Sequence, residues 1–395
     1  MNKKLLAAAV AGALAMPAIA LAAGSSVTIT GDFKVGVENF SMGNSVSTAT
    51  EKRLNTSQMR VVDNSSQIHF NVNEDLGGGL AAIGQLDIRP AFNSGNMSAG
   101  GNTFVGLKGD SWGQVTLGRW DLHYYNTGDT IAAKAGALEA WNVALMDGAA
   151  GGLVGIANMT RTPNVVRYDS PNWNGFAFTG AWSANPIPPA ATSADMTVID
   201  PATYTATNRR GNGYVLTPSF TASNWGAGYS YWEAKEDNPG LVTSTATIGN
   251  ADQRSDKLWG YYNFSGFRIA LAWDKSRLND PTSGTELSSR TSWSIPLSYN
   301  MGPHTFYLTY TKAGNDSSWN AIRNDGLDSG AKEIALAYNY DLSKLTSVGI
   351  TYAKISNDSG AQFNLFTSVP LGSADVAAKP GEDPSILQAT IRQGF

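Results

Sequence analysis

The sequence predicts an all-β fold, a 16-stranded antiparallel β-barrel that crosses a membrane. Three observations predict it: apolar and polar residues alternate with period two, short and long connections follow one another in turn, and aromatic residues cluster near the ends of the alternating segments. After residue 23 no unbroken apolar run approaches the roughly 18 residues of a membrane helix. A barrel strand presents lipid-facing residues only at alternate positions, so the lack of a long apolar run does not exclude a membrane location.

Composition excludes several classes of protein. The chain has 395 residues, 28 Lys+Arg, 32 Asp+Glu and a formal net charge of −4 at pH 7, which does not suggest a strongly basic nucleic-acid surface. An aromatic share of 10% is too high for a disordered chain. Because there is no Cys, a disulfide scaffold, a thiolate metal site and a cysteine nucleophile are all excluded.

The N-terminal segment predicts export. Residues 2–4 are a short basic region, residues 5–15 are apolar, and residues 20–22 form a small-x-small cleavage site. This order is typical of a cleaved secretory signal peptide rather than a membrane anchor. The sequence therefore predicts a signal peptide at 1–22 and a single transmembrane β-barrel domain at 23–395.

Alternation defines the strands. In one segment Ile269 and Leu271 are apolar, whereas Arg268 and Asp274 stand at positions of the opposite parity. Such a segment presents one face to lipid and the other to water. Hairpins counted around the short turns predict an even number of strands, as bacterial single-chain barrels require. The predicted strands lie near 26–38, 65–74, 80–90, 103–109, 114–120, 163–170, 175–183, 212–221, 225–235, 256–264, 267–276, 290–300, 304–312, 331–341, 346–355 and 385–395.

Connection lengths separate a barrel from a soluble sandwich, whose strands also alternate. The short turns lie at 74–79, 109–113, 170–175, 265–266, 300–303 and 341–344. Long polar connections lie at 185–211, 236–255 and 356–384. Outer-membrane barrels have short periplasmic turns and long outer loops, and their aromatic residues form girdles at both interfaces. The chain also ends in Phe395, on the predicted lipid face.

Three stretches resemble the general porins of Gram-negative outer membranes, most closely the proteobacterial trimeric porins. They lie at 74–86, 104–119 and 161–176 and read EDLGGGLAAIGQL, FVGLKGDSWGQVTLGR and RTPNVVRYDSPNWNGF. The resemblance spans nearly the whole chain. It implies a homotrimer in the cell outer membrane, surrounded by lipid. Each barrel would be a water-filled channel for passive diffusion of ions and small hydrophilic solutes, with no cofactor and no nucleic-acid partner.

The same resemblance implies a constriction inside the barrel. In that family the loop after the fifth strand folds inward and faces arginines of the wall, so that opposed fixed charges act on a passing ion. The corresponding connection runs from about 120 to 160, and its acidic candidates are Asp121, Asp129, Glu139 and Asp147. The basic candidates of the wall are Arg119 and Arg161, which match family positions, and Arg167, Arg89, Lys34 and Lys108, which share the inward parity.

Three positions depart from the family pattern. Gln67 and the stretch 100–102 stand where the family often has Arg, so the basic ladder is thinned and the usual ion preference does not carry over directly. Phe395 matches the C-terminal assembly signal, but Gln393 stands where an aromatic residue is common.

Enzyme function is disfavoured. Only three His occur, widely separated, and no HExxH or Walker-type motif is present. The one GxSxG run, GDSWG at 109–113, lies in a predicted short turn between two strands and not at the strand-to-helix turn that this motif requires, so we expect no catalytic, cofactor or metal site. Two alternatives to a general porin stay open. One is a substrate-biased channel whose loop aromatics contact aromatic acids or sugars, and the other is a secreted β-sandwich that binds carbohydrate. The loop aromatics are Trp120, Tyr124, Tyr125 and Trp141.

Overall fold

The structure, a computed structural model, describes most of the chain. It covers residues 25–44, 56–137, 141, 144–149, 151–156, 158, 161–184, 186, 211–236, 251–365 and 378–395. The predicted signal peptide at 1–22 and Glu139 lie outside the described residues. Within the described part of the chain, no helix is long and apolar enough to cross a membrane.

Antiparallel strands make up nearly all of the described structure, with one short helix, α1 (Trp319–Arg323), between β15 and β16. The strands are β1 (Ser26–Gly43), β2 (Ser57–Asp63), β3 (Gln67–Gly77), β4 (Leu80–Pro90), β5 (Met97–Ser98), β6 (Thr103–Gly109), β7 (Gly113–Trp120), β8 (Thr162–Asp169), β9 (Phe176–Ser183), β10 (Gly211–Thr221), β11 (Trp225–Glu236), β12 (Asp252–Phe264), β13 (Phe267–Asn279), β14 (Glu286–Met301), β15 (His304–Ala313), β16 (Ala331–Asp341), β17 (Thr346–Asn357) and β18 (Asp383–Gly394).

The sheet closes on itself. Each strand pairs with its sequence neighbour, and β1 pairs with β18 on one side and with β2 and β3 on the other. β2 and β3 are two parts of one crossing strand, separated by residues 64–66, and β5 pairs only with the tip of β4. Sixteen crossing strands result, as predicted. Closure leaves no unpaired edge amides in the hydrocarbon, where each would cost several kcal/mol.

Side-chain exposure follows the predicted alternation. On β13, Leu271 is 56% exposed, whereas Ala270 and Ala272 are 2% and 0% exposed. On β18, Leu387 is exposed and Gln388 is buried. The exposed apolar residues therefore form the outward face, and the residues of opposite parity point into the barrel.

Strand ends differ from the prediction on the side of the long connections. β12 begins at Asp252 rather than near 256, β14 begins at Glu286 rather than near 290, and β1 ends at Gly43 rather than near 38. Above the membrane both faces of a strand meet water, so the sequence loses its alternation although backbone pairing continues. A cross-strand ion pair between Arg277 and Asp256 supports this extension.

Candidate functional site: the channel lumen

The connection after β7 lies against the inner wall of the barrel. The Ala135 N–H donates to Asn339 Oδ1 on β16 at 3.1 Å, and the Ala137 N–H donates to Thr351 Oγ1 on β17 at 3.1 Å. Gly349 on β17 has no side chain, and a Cβ there would lie only 2.0 Å from the Ala135 carbonyl oxygen. The wall therefore fits the connection through small inward residues and hydrogen-bonding side chains.

A buried lysine holds two carboxylates of this connection. Lys257 Nζ, on β12, lies 3.3 Å from Asp129 Oδ2 and 3.0 Å from Asp147 Oδ2. All three side chains are fully buried. Burial raises the pKa of Asp147 to about 6, and the Lys257 ammonium acts in the opposite direction. Since isolated buried charges are costly, this ion-paired group fixes the connection to β12.

His123 enters the same region through hydrogen bonds. Its Nδ1 lies 2.9 Å from Ser230 Oγ on β11, and its Nε2 lies 3.0 Å from Ser255 Oγ on β12. His123, Asp147 and Asp274 could each offer one ligand atom to a metal ion, all within 4.8 Å of one another. The lysine ammonium beside Asp147, and the Ser255 hydroxyl that donates to Asp274, already serve these carboxylates. We therefore assign the group to attachment of the connection.

The returning arm of the connection is held by a second buried cation. The Arg290 guanidinium, on β14, donates to the Ala149 carbonyl and lies 4.8 Å from the centroid of the Phe363 ring. It also lies 3.8 Å from Asp316 Oδ1. Asp316 in turn accepts a hydrogen bond from the Leu153 N–H at 2.7 Å. Both arms of the connection thus contact the same part of the barrel.

These contacts divide the inner surface into two parts. We call the inward side chains of β11–β17 the covered wall, because most of them are buried and the connection contacts several of these strands. We call the inward side chains of β1, β3, β4, β6 and β7 the open wall, because many of them keep partial exposure. Lys34 and Arg89 are examples on the open wall, whereas Ser276 and Thr351 are buried on the covered wall.

Three of the predicted basic residues share one feature, an ion pair with a nearby carboxylate. The pairs are Arg89 with Asp87 at 2.5 Å, Arg161 with Asp121 at 3.3 Å, and Arg167 with Asp169 at 2.7 Å. Arg167 also lies over the ring of Trp120, with its central carbon 4.2 Å from the ring centroid. Their charges are therefore partly neutralised where they stand.

The other three predicted basic residues have no ion pair among the described residues. Lys34 points inward from β1, and its charge interacts with Asp32, Arg89 and Arg392. Arg119 lies at the end of β7, where the register with β8 shifts, and its charge interacts with that of Arg161. Lys108 is exposed at the end of β6, beside the short turn. Lys34, Arg119 and Lys108 thus differ from the three paired arginines, each of which contacts a carboxylate.

The resemblance implied loop carboxylates that face the basic wall across open water. The described acidic residues are instead buried. Asp121, Asp129 and Asp147 are 4%, 0% and 0% exposed. Each contacts a basic side chain of the barrel or its margin, as described above, so their charges are turned toward the wall. The sequence did not single out Lys257 or Arg290 as partners. The only feature of the sequence that could have indicated them is that both stand at inward-facing positions of their strands.

The aromatic residues of the connection fall into two groups. Trp120 stacks on Phe104 with ring centroids 4.2 Å apart, and Tyr124 is only 6% exposed, so both are committed to packing. Tyr125 is 45% exposed, and its ring centroid lies 5.2 Å from that of Trp141. This pair offers aromatic surface to the lumen.

A closed barrel with an apolar outer face and a charged inner wall defines an outer-membrane channel. The family model for Gram-negative porins matches residues 7–360, so the chain belongs to that family. The chain accordingly resides in the outer membrane and forms a water-filled channel for passive diffusion of ions and small hydrophilic solutes.

Relatives and solved structures agree with this assignment. The chain is 24% identical over 356 residues to a major outer membrane protein P.IB of Neisseria gonorrhoeae, covering 88% of this chain and 94% of the relative. It is 28% identical over 296 residues to an outer membrane porin protein of Bordetella pertussis, covering 70% of each. The fold is similar to that of the anion-selective porin from Comamonas acidovorans (TM-score 0.67, 19% identity, 94% and 100% covered). It is also similar to the trimer form of OmpT from Vibrio cholerae (TM-score 0.59, 12% identity, 94% and 99% covered).

Proposed function

We propose that this porin prefers small hydrophilic anions. The observation that carries the proposal is the asymmetry of charge around the lumen. The described carboxylates of the connection are buried against basic partners, whereas Lys34 and Arg119 are partly exposed and have no ion pair among the described residues. A net positive lining in a narrow passage raises the local concentration of anions. The similar solved porin from Comamonas acidovorans is described as anion-selective, which supports the same sign.

Reversal potentials in a salt gradient test this preference. The double variant Lys34→Gln/Arg119→Gln removes two cations that have no ion pair among the described residues, and we expect the reversal potential to move toward the cation-selective side. Arg161→Gln removes a cation and also leaves the Asp121 carboxylate without its ion pair. Its shift in reversal potential should therefore be at least as large as that of Lys34→Gln alone or Arg119→Gln alone. A matched control is Lys344→Gln, which removes one positive charge at a short turn away from the connection. An unchanged reversal potential in the double variant would overturn the proposed role.

We infer that the connection at about 120–160 narrows the channel and that the chain assembles as a homotrimer of mature residues 23–395. Contacts of both loop arms with the covered wall support the first inference. The trimer form of a similar barrel supports the second. We also propose that the protein acts only as a channel and catalyses no reaction. Light scattering of the detergent-solubilised protein, before and after heating, tests the trimer. N-terminal sequencing of the exported protein tests the cleavage site.

A second candidate function is a bias toward aromatic acids, favoured by the exposed pair of Tyr125 and Trp141. The charges that act on Tyr125 are those of Asp121, Arg89, Arg161 and Asp32, and the two guanidinium groups among them would be available to the carboxylate of an aromatic acid bound on this pair. Benzoate should then block single-channel current at lower concentration than acetate, and Tyr125→Ala should abolish the difference. Block by glucose at similarly low concentration would instead indicate sugars. Equal effects of all three solutes would leave only a general porin.

A further inference from the structure

A row of lysines crosses the outward face of the barrel on the side of the long connections. Lys312 on β15 and Lys332 on β16 are direct partners in the antiparallel register, and both are exposed. On β17, Lys354 is the partner of Ile334, two residues from Lys332. Lys312 has the outward parity of Leu308, and Lys332 that of Ile334, both of which are exposed apolar residues. The row therefore belongs to the outer surface and not to the channel.

The three lysines of the row differ in their ion pairing. Within the described part of the chain, neither Lys312 nor Lys332 forms an ion pair, while Lys354 lies 3.7 Å from Asp383. The carboxylate whose charge interacts with both is Asp358, in the connection that follows β17. Like charges directly opposite one another destabilise an antiparallel pair. An anion bound between the two ammonium groups would offset this repulsion.

The lysines lie directly beyond an aromatic belt. Tyr310 precedes Lys312 by two residues on the same face, and its ring centroid is 5.3 Å from that of Trp293 on β14. Trp293 is in turn the register partner of Lys312. Tyr and Trp mark the boundary between hydrocarbon and headgroups, and in outer-membrane barrels the long connections face the cell exterior. The lysine row therefore stands at the height of the outer-leaflet headgroups.

An apolar groove runs below the row on the same strands. It has a volume of about 500 Å³ and is formed mostly by outward side chains of β14–β17. Its lining includes Leu308, Leu336, Tyr338, Ile350 and Tyr352. Leu308 and Lys312 are four residues apart, which corresponds to roughly 13 Å along a strand. A molecule that fits both features has a phosphate at one end and an acyl chain at the other.

We propose that Lys312 and Lys332 bind the phosphate group of an anionic outer-leaflet lipid whose acyl chain lies in this groove. Lysine ammonium groups attract phosphate as point charges, and basic residues at the headgroup level recognise anionic lipids. The site is separate from the lumen, and it requires neither the ion preference nor the solute bias proposed above.

Native mass spectrometry of the purified protein in detergent tests the site, with bisphosphorylated lipid A as the probe. We expect the wild type to retain the lipid through detergent removal, and Lys312→Gln/Lys332→Gln to weaken its apparent affinity at least tenfold. The matched control is Lys235→Gln/Lys344→Gln, which also removes two lysines but at other sites. Lys235 lies 3.4 Å from Glu233, and Lys344 lies at a short turn. The control should bind as the wild type does.

Two further measurements distinguish the contribution of the phosphate to binding from that of the acyl chain. Lipid A stripped of its phosphates should bind the wild type and the lysine variant equally weakly. Inorganic phosphate alone should compete only at much higher concentration than the lipid. Unchanged retention in Lys312→Gln/Lys332→Gln, equal loss in the control variant, or full competition by inorganic phosphate at the lipid's own concentration would each overturn the proposal. Because both lysines are exposed, the variants are expected to fold, and heat-sensitive migration in detergent gels checks this.

Discussion

The covered wall and the open wall obey the same alternation, yet they differ in the size of their inward side chains. On the open wall the inward residues include His69, Asn71, Gln85 and Arg89, which reach into water. On the covered wall they are mostly small, which leaves room for the connection. Examples from the covered wall are Ala270, Ala272, Ser276, Ala335, Ala337, Gly349, Thr351 and Ala353. Parity thus decides which way a residue points, and side-chain volume decides whether a loop or water lies above it.

Charge follows the same division. The covered wall contributes two deeply buried cations, Lys257 and Arg290, and each of them serves atoms of the connection. On the open wall Lys34 has no ion pair among the described residues, and its charge interacts with those of Asp32, Arg89 and Arg392. Buried ion pairs add little to stability when intact but are costly to break, because the remaining charge is left without a partner. The two walls are therefore expected to respond differently to loss of a single cation.

Lys257→Met is predicted to give the largest effect. It leaves the buried carboxylates of Asp129 and Asp147 without their ammonium, at a cost of roughly 3–5 kcal/mol. Either the barrel loses stability by that amount or the connection leaves the wall, which increases its cleavage by protease and the noise of the channel current. The control is the triple variant Lys257→Met/Asp129→Asn/Asp147→Asn, which removes the unpaired charges and should recover much of the loss. An intact, quiet and protease-resistant Lys257→Met channel would show that the ion-paired group does not hold the connection.

Leu86→Arg tests the facing assignment on the open side of the barrel. Leu86 is 40% exposed on the outward parity of β4, and a charge on the lipid face near the midplane costs roughly 2–4 kcal/mol. We expect assembly in membranes to fail or to fall sharply, as measured by the yield of heat-sensitive oligomer.

The control for that prediction is Asn71→Arg. Asn71 faces inward on β3 and pairs with Gln85, the neighbour of Leu86. An arginine there meets water, so assembly should be normal and only conductance should change. Similar assembly of the two variants would contradict the division into lipid and water faces.

Gly349→Ala tests the fit between the connection and the covered wall. The added Cβ would meet the Ala135 carbonyl oxygen at 2.0 Å, so the connection must move. Overpacking of this kind costs typically about 1–3 kcal/mol. We expect a lower unfolding temperature and a changed conductance. Gly180→Ala is the control, because its nearest neighbour would be 3.9 Å away. Equal stability of the two variants would indicate that the connection does not press on β17.

Sequence alone predicted the barrel because strand alternation is a local pattern. Sixteen strands, the short turns and the outward face all follow from residues that are neighbours in the chain. The attachment of the connection could not be predicted in the same way. Asp147 and Lys257 are 110 positions apart, and Ala135 and Asn339 are 204 positions apart, so no local pattern joins them. Parity placed Lys257 inward but gave no sign that a loop would cover it. The selectivity roles of the predicted basic and acidic residues stay predictions.

The pH dependence of Asp147 gives the most gradual of the expected effects. Because burial raises the pKa of this carboxyl to about 6, the folded protein holds a proton that the unfolded chain, with an ordinary value of 3.8, has already lost. The stability contributed by that proton is fully present below pH 4 and is lost as the pH rises through about 6. Wild-type stability should therefore fall between these limits relative to Asp147→Asn, by at most about 1.4 kcal/mol per pH unit.

Unfolding midpoints of the two proteins in detergent, followed by circular dichroism from pH 4 to pH 8, measure this difference. The wild type and the Asn variant share every other titrating group, so the contributions of those groups cancel in the difference between the two midpoints. The comparison therefore isolates the carboxyl of Asp147. A difference that grew in favour of the wild type as the pH rose would mean that the Lys257 ammonium outweighs burial, and that Asp147 stays ionised on the covered wall. A pH-dependent difference of the expected sign places a titrating carboxyl where the connection meets β12, whereas no comparable pH dependence is expected from the half-buried Lys34 on the open wall.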